Sequence, residues 1–252
     1  MSKNKIIAGI DIGSAKTATL IAQVDEAGKI SIVGIASAVT KGVRKSQIVD
    51  IEEATESVIA SVEAAERMAG YNLTQAYVSI GGGHIASQNS QGVVAVSDPN
   101  AEVTAEDVNR VIDAAKAVSL ASSREVVHVL PREFIVDGES GVKDPVGMSG
   151  VRLEVQTHLV TASATAVKNT VKCVSEVGVD IEALVFSGLA SAEAVLSETE
   201  KELGVLLVDI GAGSTSLAAF LEGALAHSAV FPIGGRNVTN DLAIGMRVSL
   251  EN

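Results

Sequence analysis

Apolar residues fall along this chain in short runs, separated by polar or glycine-bearing breaks. Ile6 to Ile12 is one such run; it closes at Asp11-Ile12-Gly13 and predicts a buried strand. Thr17 to Val24 predicts a second strand and Ile30 to Val39 a third. Between them, Asp25-Glu26-Ala27-Gly28 has turn chemistry, so the second and third strands form a hairpin. About ten polar or small residues, Thr40 to Val49, follow. Asp50 then caps a helix, with Glu53 where a capping-box carboxylate belongs. Ile51, Thr55, Val58, Ile59, Val62 and Ala65 recur at helical spacing, and Gly70 supplies the stop. Ala76 to Ile80 predicts a short strand ended by Gly81-Gly82-Gly83.

The middle of the chain has another texture. Gly92 to Ser97 predicts a strand and Asp98-Pro99-Asn100 a turn; Thr104 with Asp107 opens a helix bearing Val108, Val111, Ile112 and Ala115 on one face. Glu125 to Val129 and Arg132 to Val136 read as strands around Pro131, and Asp137-Gly138 turns the chain. A looser Gly/Ser stretch reaches Gly150, and Val151 to Val160 is a long strand carrying His158. Residues 85–162 are therefore expected to form a β-α-β-β insert. Beyond it, a helix over Ala164 to Val177 with Val167, Val171, Val174 and Val177 periodic, a strand over Val179 to Phe186, and a small-residue helix from Gly188 through Leu196 are predicted.

The last stretch repeats the first. Val208-Asp209-Ile210-Gly211 closes an apolar run as Ile10-Asp11-Ile12-Gly13 does, 198 residues earlier. Each is followed by a Ser/Thr/Gly-rich turn and two further strands; in the second copy these are Ser216 to Leu221 and Ala224 to Phe231, joined by Glu222-Gly223. A glycine-bearing connection then leads toward a helix, the second beginning near Thr239 and running to the chain end at Asn252 without a stop signal. Two β-β-β-α units with the same Asp-Ile-Gly corner predict a duplicated lobe. A glycine at such a corner lets backbone N–H groups converge into a nest for an anion. A carboxylate just before it repels phosphate directly but can face a Mg²⁺ that bridges phosphates, mostly through water. One Asp-x-Gly is only a turn; two in repeated context point to a clamp for a nucleoside triphosphate. Asp11 and Asp209 are then the metal-side carboxylates. Gly13, Ser14 and Lys16 hold phosphates from one side, and Gly211, Gly213, Ser214 and Thr215 from the other. Lys16 also fits a solvated strand residue.

Composition narrows the classes. Hydrophobic residues are 47% of 252 and aromatics 2%, so the core is built from Val, Ile, Leu and Ala, as an α/β protein allows. A net charge of -12 argues against sequence-independent nucleic-acid binding and against spontaneous binding to anionic lipid. The single cysteine, Cys173, makes neither an internal disulfide nor a Cys-rich zinc site, which suggests a reducing cytosol; on a helix face it reads as a small buried filler. Met1-Ser2-Lys3-Asn4-Lys5 precedes no long apolar h-region, so no signal peptide is expected, and no run of about 18 apolar residues predicts a membrane span. His84, His128, His158 and His227 lack metal spacing; His128 and His158 are expected at the core edge or surface. Gly81-Gly82-Gly83-His84 precedes no helix and reads as a hinge into the insert.

The duplicated pattern resembles the actin-like ATPase superfamily, with its ribonuclease H-like α/β lobes. Asp11-Ile12-Gly13-Ser14 resembles the first phosphate loop, and Asp209-Ile210-Gly211-Ala212-Gly213-Ser214-Thr215 the second. Gly234-Gly235, ahead of a helix, matches a glycine pair that in several members approaches the nucleotide. Only Thr40 to Val49 lies where many members carry a subdomain, and the insert comes later. That displacement resembles the FtsA family of bacterial cell division and, in related form, PilM. Gly42-Val43-Arg44-Lys45 leading to Ile48-Val49-Asp50-Ile51-Glu52, Pro145 to Leu153, and Ser187-Gly188-Leu189-Ala190-Ser191 ahead of Glu202-Leu203-Gly204 favour FtsA.

The resemblance implies a first lobe over residues 1–84 and 163–202, an inserted subdomain over 85–162, and an incomplete second lobe over 203–252. It implies ATP and Mg²⁺ as ligands, with Ala15 and Ala212 joining the contact residues. It also implies self-assembly, contact with FtsZ and later division proteins, and a place at the inner face of the cell membrane at the division site, through a C-terminal amphipathic helix. Family members run well past this length, so a truncated product or fragment is expected, lacking the glycine-rich adenine-side loop and that helix. Active superfamily members carry an acidic or amide side chain before the small-residue helix; Val185-Phe186-Ser187 has none, and Glu193 lies inside the helix, so turnover is expected to be slow or negligible. A PilM-like pilus-assembly domain and a small-molecule kinase are the alternatives, although no base for a kinase is evident.

Overall fold

The computed structural model describes residues 5–98, 100, 102–117 and 120–250. Met1 to Asn4, Pro99 of the expected turn and the final Glu251-Asn252 lie outside them. β1 (Lys5–Ile12), β2 (Lys16–Val24) and β3 (Ile30–Val39) form an antiparallel meander, with Ile12 opposite Thr17 at the first corner. The connection over Thr40 to Val49, where no element is predicted, folds into a miniature hairpin of β4 (Val43–Arg44) and β5 (Gln47–Ile48). α1 (Ile51–Ala69) starts where expected, but with half of the expected capping box: the Asp50 carboxylate accepts the Glu53 N–H at 3.1 Å, while the Asp50 N–H goes to the Gly42 carbonyl at 3.0 Å and not to the Glu53 carboxylate; Gly70 ends the helix at φ 66°. β6 (Gln75–Ile80) follows.

The middle segment departs from its pattern in three places. β7 runs over Ala86–Ala95, earlier and longer than the Gly92 to Ser97 run, because its polar residues Ser87, Asn89 and Gln91 pair with the long strand that closes the insert. α2 (Ala105–Lys116) has the predicted capping box, Thr104 and Asp107 each bonding the other's backbone N–H. β8 (Arg124–Val136) is one strand through Pro131, not two. The missing N–H of Pro131 is tolerated at a register irregularity opposite Gln156 and Thr157. β9 (Glu139–Val142) forms within the stretch expected to be loose, and β10 (Arg152–Ser163) follows, so the insert is β-α-β-β-β.

α3 (Ala164–Ser175) buries Val167 and Val174 but leaves Val171 exposed. β11 (Asp180–Phe186) and α4 (Ser187–Val195) match expectation. α5 (Glu198–Leu203) was not predicted, although Ser197 and Glu200 form a complete capping box. β12 (Val205–Ile210), β13 (Thr215–Leu221) and β14 (Ala224–Phe231) repeat the meander. α6 spans Gly235–Met246, four residues earlier than expected, and it has a stop: Arg247 takes φ 55°.

Three larger sheets result, ordered β11-β6-β1-β2-β3, β7-β10-β8-β9 and β12-β13-β14. α1 and α3 cover one face of the first, burying Ile10, Ile21, Val58, Val62, Val78, Cys173 and Val174 in a shared core. Each such aliphatic side chain contributes about 1.5–3 kcal/mol by leaving water. α2 packs on the second sheet around Val103, Val111, Leu153 and Val155. Two smaller cores join the pieces: Ile80, Val160, Val167 and Phe186 meet Val230 of β14, while Ala192, Phe220 and Leu225 meet Leu130 of β8. The four-stranded sheet therefore touches the third sheet as well as the first.

Candidate functional site

The two acidic corners have the same geometry. In the first, the Gly13 N–H donates to the Lys16 carbonyl at 3.1 Å; in the second, the Gly211 N–H donates to the Ser214 carbonyl at 2.9 Å, each pair at the same offset. Asp11 and Asp209 occupy equivalent pairs, opposite Ala18 and Ser216. Each is steered by a serine of a neighbouring element. Ser79, near the end of β6, donates to Asp11 Oδ1, because the parallel pairing of Ile10 with Val78 sets the two side by side. Ser191 in α4 donates to Asp209 Oδ2 at 2.8 Å.

Both corners line one cleft of about 400 Å³, bounded by Asp11, Gly13, Ser14, Ala15, Lys16, Asp209, Ile210, Gly211, Ala212 and Ser214, with Ser46, Ser187 and Ser216. Four other predicted residues, Gly213, Thr215, Gly234 and Gly235, do not line this cleft. Thr215 spends its hydroxyl on the Ile233 carbonyl at 2.8 Å. Gly213 packs against the first corner, where a Cβ would fall 2.6 Å from Ser14 Oγ. Gly234 packs on the back of the second corner; a Cβ there would lie 2.4 Å from the Gly211 carbonyl oxygen. Gly235 donates to that same carbonyl and Arg236 to that of Ala212, both at 2.9 Å, so these N–H groups at the start of α6 are already engaged. Gly235 instead borders an adjoining hollow of about 610 Å³, which shares Ala15, Ile210, Gly211 and Ala212 with the cleft and extends to Arg236, Thr239 and Asn240.

The donor chemistry suits a magnesium–phosphate group. The N–H groups of Ser14, Ala15 and Ala212, all on the cleft, have no acceptor among the described residues, which leaves them for an anion. Lys16 is exposed at the rim with no carboxylate paired to it among those residues. Asp11 and Asp209 offer hard oxygens, and no group of three metal-ligating side chains gathers among the described residues. A Mg²⁺ here would draw its remaining ligands from water and phosphate, as that ion commonly does.

Residues missed at the sequence level include Ser46, Ser79, Ser187 and Ser191. Ser187 and Ser191 stand four apart on a helix of small residues, a spacing that puts both hydroxyls on one face and was the available signal. Ser46 had none. It sits in the turn of the β4–β5 hairpin, where Lys45 and Ser46 both take left-handed conformations, φ 52° and 57°. Two such residues in succession match a tight hairpin turn, at roughly 1–2 kcal/mol each for a residue other than glycine.

Glu193 lies away from the cleft, bonded at 2.8 Å to buried Lys201. His158 is not at an edge or surface but 1% exposed, its Nδ1 bonded to Asn89 Oδ1 at 2.7 Å and its Nε2 to Ser228 Oγ at 2.9 Å. Burial above all, then the charges of His227 and Arg132, lowers its pKa to about 4. His128 accepts the Phe186 N–H through Nε2, and burial lowers its pKa too.

A duplicated three-stranded meander, a helix-backed mixed sheet and a cleft between the two corners define an actin-like fold. Two solved structures share it: the PilM–PilN type IV pilus biogenesis complex (TM-score 0.67, 16% identity, covering 97% of this chain and 66% of that one), and ethanolamine utilization protein EutJ from Carboxydothermus hydrogenoformans (TM-score 0.56, 15% identity, covering 99% and 60%). At such identities the likeness speaks for fold alone. A family model for the SHS2 domain inserted in FtsA matches residues 82–161, and one for cell division protein FtsA matches residues 206–252. Over 247 residues the chain is 43% identical to cell division protein FtsA of Pseudomonas aeruginosa, covering 98% of this chain and 59% of the relative. It is 41% identical to that of Bacillus subtilis over 251 residues, covering 100% and 57%. The chain belongs to the FtsA family, and it spans somewhat under three-fifths of the length of these relatives.

Proposed function

We propose that this chain is the nucleotide-binding part of an FtsA-type cell-division protein, holding ATP with Mg²⁺ in the cleft between Asp11 and Asp209. The observation that carries this reading is the pairing of two equivalent corners on one cleft, each with an oriented carboxylate and unengaged N–H groups. The N–H groups of Ser14, Ala15 and Ala212 would bind phosphate oxygens, with Lys16 adding charge at the rim. When bound, Mg²⁺ would offset the negative charge of the phosphates. Asp11 and Asp209 would hold its water shell, Ser79 and Ser191 keeping their oxygens aimed.

On this reading, residues 1–84 with 163–202 form the first lobe, 85–162 the inserted subdomain, and 203–252 part of the second lobe. The protein self-assembles, works at the division site, and helps link FtsZ filaments to the membrane and to later division proteins. Membrane contact would come through a C-terminal amphipathic helix like that expected of the family; no helix among the described residues is long and apolar enough to cross a membrane. Support comes from the family membership and the sequence identity. The likeness to PilM rests on fold alone and does not favour the pilus reading.

Calorimetric titration with Mg²⁺ and ATP tests the site. Asp11→Asn and Asp209→Asn should each raise Kd by about tenfold or more, a loss of roughly 1.4 kcal/mol. Unchanged affinity in both variants would overturn the assignment. Because Val185-Phe186-Ser187 carries no carboxylate or amide to position a water ahead of the small-residue helix, phosphate release should stay well below about 1 s⁻¹, the low end of ordinary enzyme rates. Faster steady-state turnover would count against the slow-turnover view.

A further inference from the structure

Ser46 hydrogen-bonds to both corners. Its backbone N–H donates to Ser14 Oγ of the first corner at 2.7 Å. Its hydroxyl meets Ser214 Oγ of the second corner at 2.7 Å. Ser14 and Ser214 are both buried, so the hydroxyls have few alternative partners. Ser46 also borders the cleft. The turn cannot drift easily toward another geometry: it is closed by the short β4–β5 ladder, and the Val49 and Asp50 N–H groups are fixed on the Gly42 carbonyl at 2.8 and 3.0 Å, just ahead of α1. Gly213 approaches so near that a Cβ would come within 3.1 Å of Lys45 Cα. The hairpin tip is thus wedged between corners that lie far apart in sequence.

We propose that Ser46 is a positioning residue that sets the spacing of the two corners, and with it the fit of a phosphate chain that engages both. The inference rests on the nucleotide reading of the cleft. A ligand held by both corners gains from a fixed separation because the ordering cost is met before binding. A nucleoside without phosphates, which has nothing to span the corners, gains nothing from it. The bridge joins two lobes through one shared hydroxyl pair, so removing either end abolishes the same contact.

The test is a double-mutant cycle in the 252-residue protein, with Ser46→Ala, Ser214→Ala and the double variant. Kd is measured for ATP with Mg²⁺ and for adenosine, and far-ultraviolet dichroism checks folding. Each single substitution should weaken ATP by about fivefold and leave adenosine unchanged. The double variant should be no weaker than the worse single, since interacting residues are not additive. A purely structural role would lower stability while leaving the ratio of ATP to adenosine affinity unmoved. If the unaltered protein does not bind ATP, the cleft reading falls and this inference with it. If it does bind and Ser46→Ala keeps the ATP-to-adenosine ratio, or the two losses simply add, only the role of Ser46 is overturned. Ser46→Asn supplies a second variant suited to the left-handed turn; folded protein with ATP affinity between those of the unaltered chain and Ser46→Ala supports the bridge.

Discussion

At the residue scale, two glycines near α6 show how little composition says about tolerance. Gly234 has extended backbone that any residue adopts, yet a methyl there would collide with the Gly211 carbonyl oxygen and the Ala212 carbonyl carbon, both in main chain. Gly245, inside α6, has nothing within 4 Å of such a methyl. Gly234→Ala should therefore lower stability by about 1–3 kcal/mol through overpacking. Gly245→Ala should raise it by about 0.5–1 kcal/mol, because alanine loses less backbone entropy in a helix. Urea midpoints of the two variants, read against the unaltered chain, should move in opposite directions.

At the scale of elements, α5 is held by one buried charge. Lys201 is 4% exposed; its ammonium bonds Glu193 of α4 at 2.8 Å and Glu198 at 3.0 Å, and sits 5.7 Å from the centre of the Phe220 ring. The bond to Glu193 is the chief reason its pKa is raised. Both glutamates are solvated, so losing the lysine strands no buried charge. With the residue this deeply buried, its aliphatic stem is out of water too. Lys201→Met, which keeps the stem, should cost about 1 kcal/mol or less, whereas Lys201→Ala should cost about 2–3 kcal/mol. Thermal unfolding of the pair separates packing from charge: equal losses would assign the stability to the ion pairs.

At the scale of the whole molecule, the contact between the four-stranded and third sheets is polar at its centre. His158 of β10 bonds Asn89 of β7 and Ser228 of β14, Ser87 donates to the Ser228 carbonyl at 2.7 Å, and His227 lies edge-on to His158 with ring centres 6.4 Å apart. The folded state holds His158 near a pKa of 4, whereas an unfolded histidine titrates near 6.5. Between those values the unfolded chain binds the extra proton. Stability is therefore complete above about pH 6.5 and falls as pH drops toward 4, by a few kcal/mol at most. Urea midpoints across that range should show the decline. His158→Gln, which cannot titrate, should flatten it; an equal slope in that variant would place the pH dependence on other groups, among them His84 and His128, whose pKa values burial also lowers.

Local rules carried much of the architecture. Strand alternation placed β3 and β14 to the residue, and the caps at Asp50, Thr104 and Gly70 fixed helix ends, because those signals lie within a few residues of one another. The repeated Asp-Ile-Gly likewise marked both corners of the cleft. Nothing local marked the β4–β5 hairpin, the unbroken course of β8 through Pro131, or the burial of His158, since each depends on partners many residues away: Ser14 and Ser214, β10, and Asn89 with Ser228. The amino-acid sequence thus determined the elements, the repeat and the corner chemistry. The tertiary structure alone decided that the corners meet and that a serine from a third element stands between them, because the distance between groups far apart in sequence is set by packing and not by periodicity.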